Sequence, residues 1–352
     1  MVISEVDMID LRSDTVTHPT PEMREAMYRA EVGDDVMGED PTVNRLETLA
    51  AERMGKAAGL FVPSGTMGNL VALLAHCQRG DEVILGDLAH TYLYEAGGMS
   101  ALGGIHPRPL RNQPDGTLVL EQIEAAVRPD NPHFPQTRLI ALENTHNRCG
   151  GAAIAPDYFA GVREIADRHG LSVHLDGARI FNAAVALEID PREITQHVDS
   201  VTFCLSKGLS APVGSVLCGN MDFIYRAHRA RKMLGGGMRQ AGIVAAAGIV
   251  ALEKMVDRLG EDHRRARMLA EGIATITGLT VDMGRVQTNM VFFDLSEHTD
   301  LTGSDVISRL RDRQVLVGYS RDRGFRAVVH CWIDDAGIAT AVSALRDVMR
   351  SD

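Results

Sequence analysis

Between residues 59 and 218, short apolar runs alternate with helical patterns, and this alternation restricts the possible folds more than any other feature of the chain. The runs fall at 59–62, 82–85, 105–109, 138–143, 171–176, 200–205 and 214–218, and amphipathic patterns such as 66–77 and 156–169 lie between several of them. Strands that are apolar throughout belong to a sheet covered on both faces, and the intervening helices supply the crossovers that parallel neighbours need. The expectation is an α/β architecture with a mainly parallel seven-stranded sheet flanked by helices.

After Gly235-Gly-Gly237 the pattern changes. A long helix is predicted over 240–259 and a second over 262–277. A strand at 288–295, a helix at 303–314, strands at 315–318 and 325–330 and a closing helix at 334–350 follow. This reads as a small α+β domain at 251–352, after a large domain at 1–250 that includes the N-terminal segment.

In open parallel sheets, ligands bind beyond the carboxyl ends of the strands. Two of those ends carry charge: His174-Leu-Asp176-Gly-Ala-Arg179 closes one run, and Lys207-Gly208 follows the next. The chain has only four lysines, Lys56, Lys207, Lys232 and Lys254. Lys56 closes a helix, Lys232 joins a basic helical cluster and Lys254 lies on a polar helix face. Lys207 alone ends an apolar strand, a setting suited to an amine that forms an imine. A lysine that forms a Schiff base and a carboxylate that keeps a pyridine nitrogen protonated are what pyridoxal 5′-phosphate requires.

Other groups suit the same ligand. Pro63-Ser-Gly65-Thr66-Met-Gly68-Asn69 leaves a strand and opens a helix, where backbone N–H groups and a hydroxyl meet a phosphate; the same turn also serves as a plain helix cap. Nucleotide-binding glycine patterns are missing. His90, in Asp87-Leu-Ala-His90-Thr-Tyr-Leu-Tyr94, and His146, in Glu143-Asn-Thr-His146-Asn147, both follow strands and suit proton transfer. The sequence leaves these two histidines open as the base. Arg179 and Arg326 suit a substrate carboxylate because a guanidinium forks onto one. The loop Gly235-Gly-Gly-Met-Arg239 has a basic tip suited to an anion across a subunit boundary.

Composition excludes other classes. Hydrophobic residues at 45% and charged residues at 24% are those of a globular protein, and a net charge of −11 leaves no basic field for nucleic acid. The five cysteines have no paired metal spacing, and the 13 histidines include no His-Glu-x-x-His, so no metal centre is expected. No apolar run reaches about 18 residues, and the N-terminus has neither a basic segment nor an apolar core. A cytoplasmic protein without membrane contact is expected.

Taken together, the chain resembles the L-threonine aldolase family of fold-type I pyridoxal-phosphate enzymes. The resemblance spans almost the whole chain, in Ile9-Asp-Leu-Arg-Ser13-Asp-Thr-Val-Thr17, Val32-Gly-Asp-Asp-Val36, Met37-Gly-Glu-Asp-Pro41 and Phe61-Val-Pro-Ser-Gly-Thr-Met-Gly-Asn69. It continues in Glu143-Asn-Thr-His-Asn147, His174-Leu-Asp-Gly-Ala-Arg-Ile-Phe181, Cys204-Leu-Ser-Lys-Gly208 and Lys232-Met-Leu-Gly-Gly-Gly-Met-Arg-Gln240. The resemblance implies retro-aldol cleavage of L-threonine or L-allo-threonine to glycine and acetaldehyde, with a β-eliminating lyase or a phenylserine-preferring aldolase as alternatives. It implies that Lys207 carries the cofactor, Asp176 pairs with the ring nitrogen, His90 stacks on the ring, and Gly65 and Thr66 bind the phosphate. Lys232 and Arg239 would reach the phosphate of a neighbouring subunit. Ser13, Arg179 and Arg326 would bind the substrate carboxylate, with Arg179 also reaching the ring's phenolic oxygen. Tyr94 would bear on the choice between the two threonine diastereomers. The implied assembly is a homotetramer, a dimer of active-site-sharing dimers. Met37 departs from the family, where a tyrosine is expected.

Overall fold

The computed structural model describes residues 8–350. Its strands are β1 (Ile9–Leu11), β2 (Ala58–Val62), β3 (Glu82–Gly86), β4 (His106–Leu110), β5 (Thr137–Glu143), β6 (Ser172–Asp176), β7 (Ser200–Cys204) and β8 (Ser215–Gly219), then β9 (Leu279–Val281), β10 (Met290–Leu295), β11 (Val315–Arg321) and β12 (Gly324–Val328). The chain forms two compact units: one is His18–Val256, and the other joins the segment ending at Thr17 to the residues from Asp257 onward.

The larger unit holds a seven-stranded sheet in the order β2-β8-β7-β6-β5-β3-β4. Neighbours run parallel from β4 through to β7, and the pairs β7/β8 and β8/β2 are antiparallel. Every residue of β3, β7 and β8 is buried, as a sheet with both faces covered demands. β4 carries Pro107 and Pro109, which cannot donate to a ladder, and it lies at the sheet edge where that loss is tolerated. Helices fill the connections, among them Gly65–His76 after β2 and Pro156–His169 before β6.

The smaller unit has a five-stranded sheet in the order β1-β11-β12-β10-β9. Ile338, Ala341, Leu345 and Val348, spaced at helical intervals on Asp335–Arg350, pack with Leu269 and Ile273 of Leu259–Ala274 and with Phe293 and Phe325 of the sheet.

Two boundaries differ from the expected ones. The N-terminal segment belongs with the smaller unit rather than the larger, because Ile9, Asp10 and Leu11 pair in parallel with Val315, Leu316 and Val317 of β11. The chain also divides after Val256 instead of at 250. The helix predicted over 240–259 is α-helical at Gly242–Val250 and then widens into a π turn at Ala251–Met255, where Arg53 donates to the Leu252 carbonyl at 3.2 Å. Among the described residues no helix is long and apolar enough to cross a membrane. All five cysteines are free thiols, four of them buried.

Candidate active site

Asp176 is the last residue of β6 and is buried. Its Oδ1 accepts from the Ala178 amide at 3.0 Å, and its Oδ2 accepts from Asn69 Nδ2 at 2.9 Å. β7 runs beside β6 with Thr202 opposite Asp176, and Lys207 lies in the turn that follows β7. That turn is held by the Ser210 amide, which donates to the Lys207 carbonyl at 2.8 Å, and Ser210 takes a left-handed backbone. The parallel register therefore brings the carboxylate and the lysine to adjacent strand ends.

His90 begins the short helix His90–Leu93 after β3. Its amide donates to Glu143 Oε2 at 2.7 Å, and its Nδ1 bonds Glu95 Oε1 at 2.9 Å. The bond to Glu95 raises the imidazole above its ordinary value, against the opposing effects of burial and the Lys207 charge. One ring nitrogen of His90 and one carboxylate oxygen each of Glu95 and Asp176 lie within 4.8 Å of one another. Burial pushes the Glu95 carboxyl up, and so does the Asp176 charge; hydrogen bonds from His90 and Asn69 pull it down. The Tyr94 ring is tilted against His90 at 5.6 Å between centroids, and Tyr94 is exposed.

His146 makes no hydrogen bond to this group. It is 1% exposed, neither ring nitrogen has a hydrogen-bond partner, and it lines a cavity of about 10 Å³ with Glu143, Gly116 and Tyr158. That space holds no more than one water.

The helix Gly65–His76 opens with Ser64 as its cap, whose Oγ accepts from the Met67 amide at 3.2 Å. A Cβ on Gly65 would lie 2.9 Å from Cys204 Sγ and 3.6 Å from Ser215 Oγ, so only glycine lets this turn approach the ends of β7 and β8. The buried hydroxyls of Ser215 and Thr202 have no protein partner, and a Cβ on Gly68 would meet Thr202 Oγ1 at 3.3 Å. A helix N-terminus with Thr66, two unpaired hydroxyls, a buried carboxylate and a nearby lysine fit a phosphorylated pyridine aldehyde.

Arg179 is buried at the cap of the helix Ile180–Leu187. Arg239 pairs with Asp34 at 2.8 Å, and Lys232 packs against Gly237, whose Cβ would meet its Cδ at 2.9 Å. Met37 is exposed in the neighbouring turn Asp35–Met37. Within the smaller unit, Ser13 Oγ accepts from the Thr15 amide at 3.2 Å, and Arg326 Nη2 donates to the Arg12 carbonyl at 3.2 Å. Ser13 and Arg326 are thereby neighbours.

Sequence reasoning missed Asn69, Glu95 and His174. Two of them left a faint signal: Asn69 is a lone amide in an apolar helix, and His174 is an imidazole inside an apolar strand.

Comparison with known proteins bears on these residues. A model of the beta-eliminating lyase family matches residues 10–296. The chain is 48% identical over 344 residues to low-specificity L-threonine aldolase 1 of Arabidopsis thaliana, covering 97% of this chain and 96% of that one. It is 53% identical over 290 residues to the low specificity L-threonine aldolase of Escherichia coli (strain K12), covering 82% and 85%. The fold superposes on the Leishmania major threonine aldolase with a TM-score of 0.80 at 19% identity, over 97% of this chain and 99% of that one.

Proposed function

The chain belongs to the beta-eliminating lyase family and is a carbon–carbon lyase of the threonine aldolase type, and we propose that pyridoxal 5′-phosphate held through Lys207 serves its reaction. The substrates in this reading are L-threonine, L-allo-threonine and related β-hydroxy-α-amino acids, cleaved between Cα and Cβ to glycine and an aldehyde. The observation that carries the cofactor is the buried Asp176 carboxylate at the end of β6, with Lys207 beyond the end of the adjacent strand.

When bound, the cofactor supplies an electron sink for the bond that breaks. Asp176 would hold the ring nitrogen in its protonated form, and His90 would cover the ring. Gly65, Thr66 and the helix N-terminus would receive the phosphate, joined by Lys232 and Arg239 of a neighbouring subunit. As the family resemblance implies, Arg179, Arg326 and Ser13 would take the substrate carboxylate, and Arg179 would also reach the phenolic oxygen; anchoring the carboxylate would set which bond at Cα breaks. Tyr94, beside His90, meets the substituent on Cβ.

Of the two histidines, His90 is the one we assign to the β-hydroxyl proton. Its side chain is 33% exposed, and with Nδ1 on Glu95 its Nε2 is left to act. His146 is enclosed. A homotetramer of active-site-sharing dimers in the cytoplasm completes the reading, and exposed Tyr28, Met37, Tyr225 and Met233 supply apolar surface for contacts between copies.

The test is incubation of the protein and pyridoxal phosphate with L-threonine, L-allo-threonine and phenylserine. An aldolase yields glycine and the aldehyde, whereas elimination yields a keto acid and ammonia. Lys207→Ala is expected to lose both turnover and the visible band of the bound cofactor; retained turnover refutes the assignment.

A further inference from the structure

Behind Asp176 runs a buried chain of polar side chains that the reaction outlined above does not use. His76 Nε2 lies 2.7 Å from Ser200 Oγ, Ser200 Oγ lies 2.9 Å from His174 Nδ1, and His174 Nε2 lies 3.2 Å from Asn69 Oδ1. Asn69 Nδ2 then reaches both Glu95 Oε1 and Asp176 Oδ2 at 2.9 Å. Asn69, His174, Ser200, Asp176 and Glu95 are all buried.

With both carboxylates ionised, the direction of every bond follows. Ionised carboxylates only accept, so Asn69 must turn its two N–H groups to Asp176 and Glu95 and its oxygen to His174. That oxygen requires a proton on His174 Nε2. Burial holds His174 down to about 3, so the ring is neutral and its Nδ1 accepts from the Ser200 hydroxyl. Ser200 has then given its only proton and accepts from His76 Nε2, in a ring that burial holds down to about 4. Both imidazoles are Nε2–H tautomers, and all the donors point toward the two carboxylates.

Two neighbouring buried carboxylates ordinarily share a proton. We propose that Asn69 bridges Asp176 and Glu95 by donating to both, and that His174, backed by Ser200 and His76, is a positioning residue that donates to the amide oxygen and holds the amide in that place. A flipped amide would set its oxygen against two carboxylates, and His174, Ser200 and His76 would all have to reverse their donors. The locked amide links the carboxylate assigned to the cofactor nitrogen with the carboxylate that holds His90. The charged groups facing this cluster are Asp176, Glu95, His90 and Lys207 at the carboxylate end, and Asp199 and Arg226 beside His76. The inference rests on the cofactor reading above only for what Asp176 serves; the tautomers do not depend on it.

Two measurements test it. In cofactor-free protein with nitrogen-15 histidine, His174 and His76 should be neutral Nε2–H tautomers at pH 7, each assigned by the signal lost in a phenylalanine variant. A His174 proton on Nδ1, or a charged His174 ring, overturns the proposal. In the loaded enzyme, Asn69→Leu and His174→Phe should weaken pyridoxal phosphate binding roughly tenfold or more, as expected when charged groups lose a hydrogen-bond donor. Both should also shift the pH midpoint of the visible band. His174→Gln, which keeps an N–H for Asn69, should recover much of both. Wild-type affinity and midpoint in Asn69→Leu and His174→Phe, or a His174→Gln variant no better than His174→Phe, sinks it. A wild-type protein that binds no pyridoxal phosphate would instead overturn the cofactor reading, and the tautomer measurement would still decide this one.

Discussion

Glu95 gives His90 both an orientation and a charge environment. Because the bond to Glu95 raises His90 above the ordinary histidine value, the neutral ring needed to accept a proton is depleted as pH falls through a midpoint above about 6.5. We expect kcat/KM to decline on the acid side with such a midpoint. Glu95→Gln keeps an oxygen for Nδ1–H but removes the charge, so the midpoint should move down; an unchanged pH profile would separate His90 from the proton step. Arg326→Ala should raise KM for threonine steeply while the cofactor stays bound, and an unchanged KM would make that arginine structural. The placement of Asp176 and Lys207 at adjacent strand ends was legible in the sequence because each follows an apolar run with unusual neighbours. Asn69 and Glu95 were not, since Asn69 meets Asp176 across 107 residues and Glu95 across 26, and only the fold makes those contacts.

Elements were legible to the degree that they are buried. All seven strands of the larger sheet announce themselves as runs or as the proline-marked edge strand β4. β1 does not, because three residues carry no period, and its place depends on pairing with β11. Leu11 is its anchor, 1% exposed within the core of the smaller unit. Leu11→Ala should destabilise that unit by about 2–5 kcal/mol, the usual cost of emptying a buried leucine site. Chemical denaturation would check it, and a loss under ~1 kcal/mol would mean that β1 merely lies on the sheet. At the first turn of Gly65–His76, Gly65→Ala sets a Cβ against Cys204 Sγ at 2.9 Å. Either the turn or the Cys204 side chain must shift, and cofactor affinity should fall while the fold persists; an unchanged dissociation constant would remove that turn from the phosphate site.

At the scale of the molecule, buried titratable groups set how stability follows pH, and in the larger unit they pull in opposite directions. Burial holds His76 and His174 down to about 4 and 3. Below about 6.5 the unfolded chain protonates these rings while the native state does not, so their contribution is full above that pH and is lost on acidification. Glu47 does the reverse. Burial raises it to about 7, outweighing its bond from the Phe61 amide and the attraction of Arg231. Its native state keeps a proton that the unfolded chain releases near its ordinary value of 4.5, so its contribution is complete below that pH and is lost as pH rises through about 7. Glu47→Gln keeps an oxygen for the Phe61 amide and removes the titration. Relative to the wild type, the variant should therefore gain up to about 3 kcal/mol between pH 4.5 and 8, from a shift of roughly two units. Denaturation midpoints at pH 5, 6.5 and 8 read this difference directly. Parallel curves for the two proteins would show that Glu47 titrates alike in the folded and unfolded chains, and the acid sensitivity left to the histidines would then stand without a counterweight.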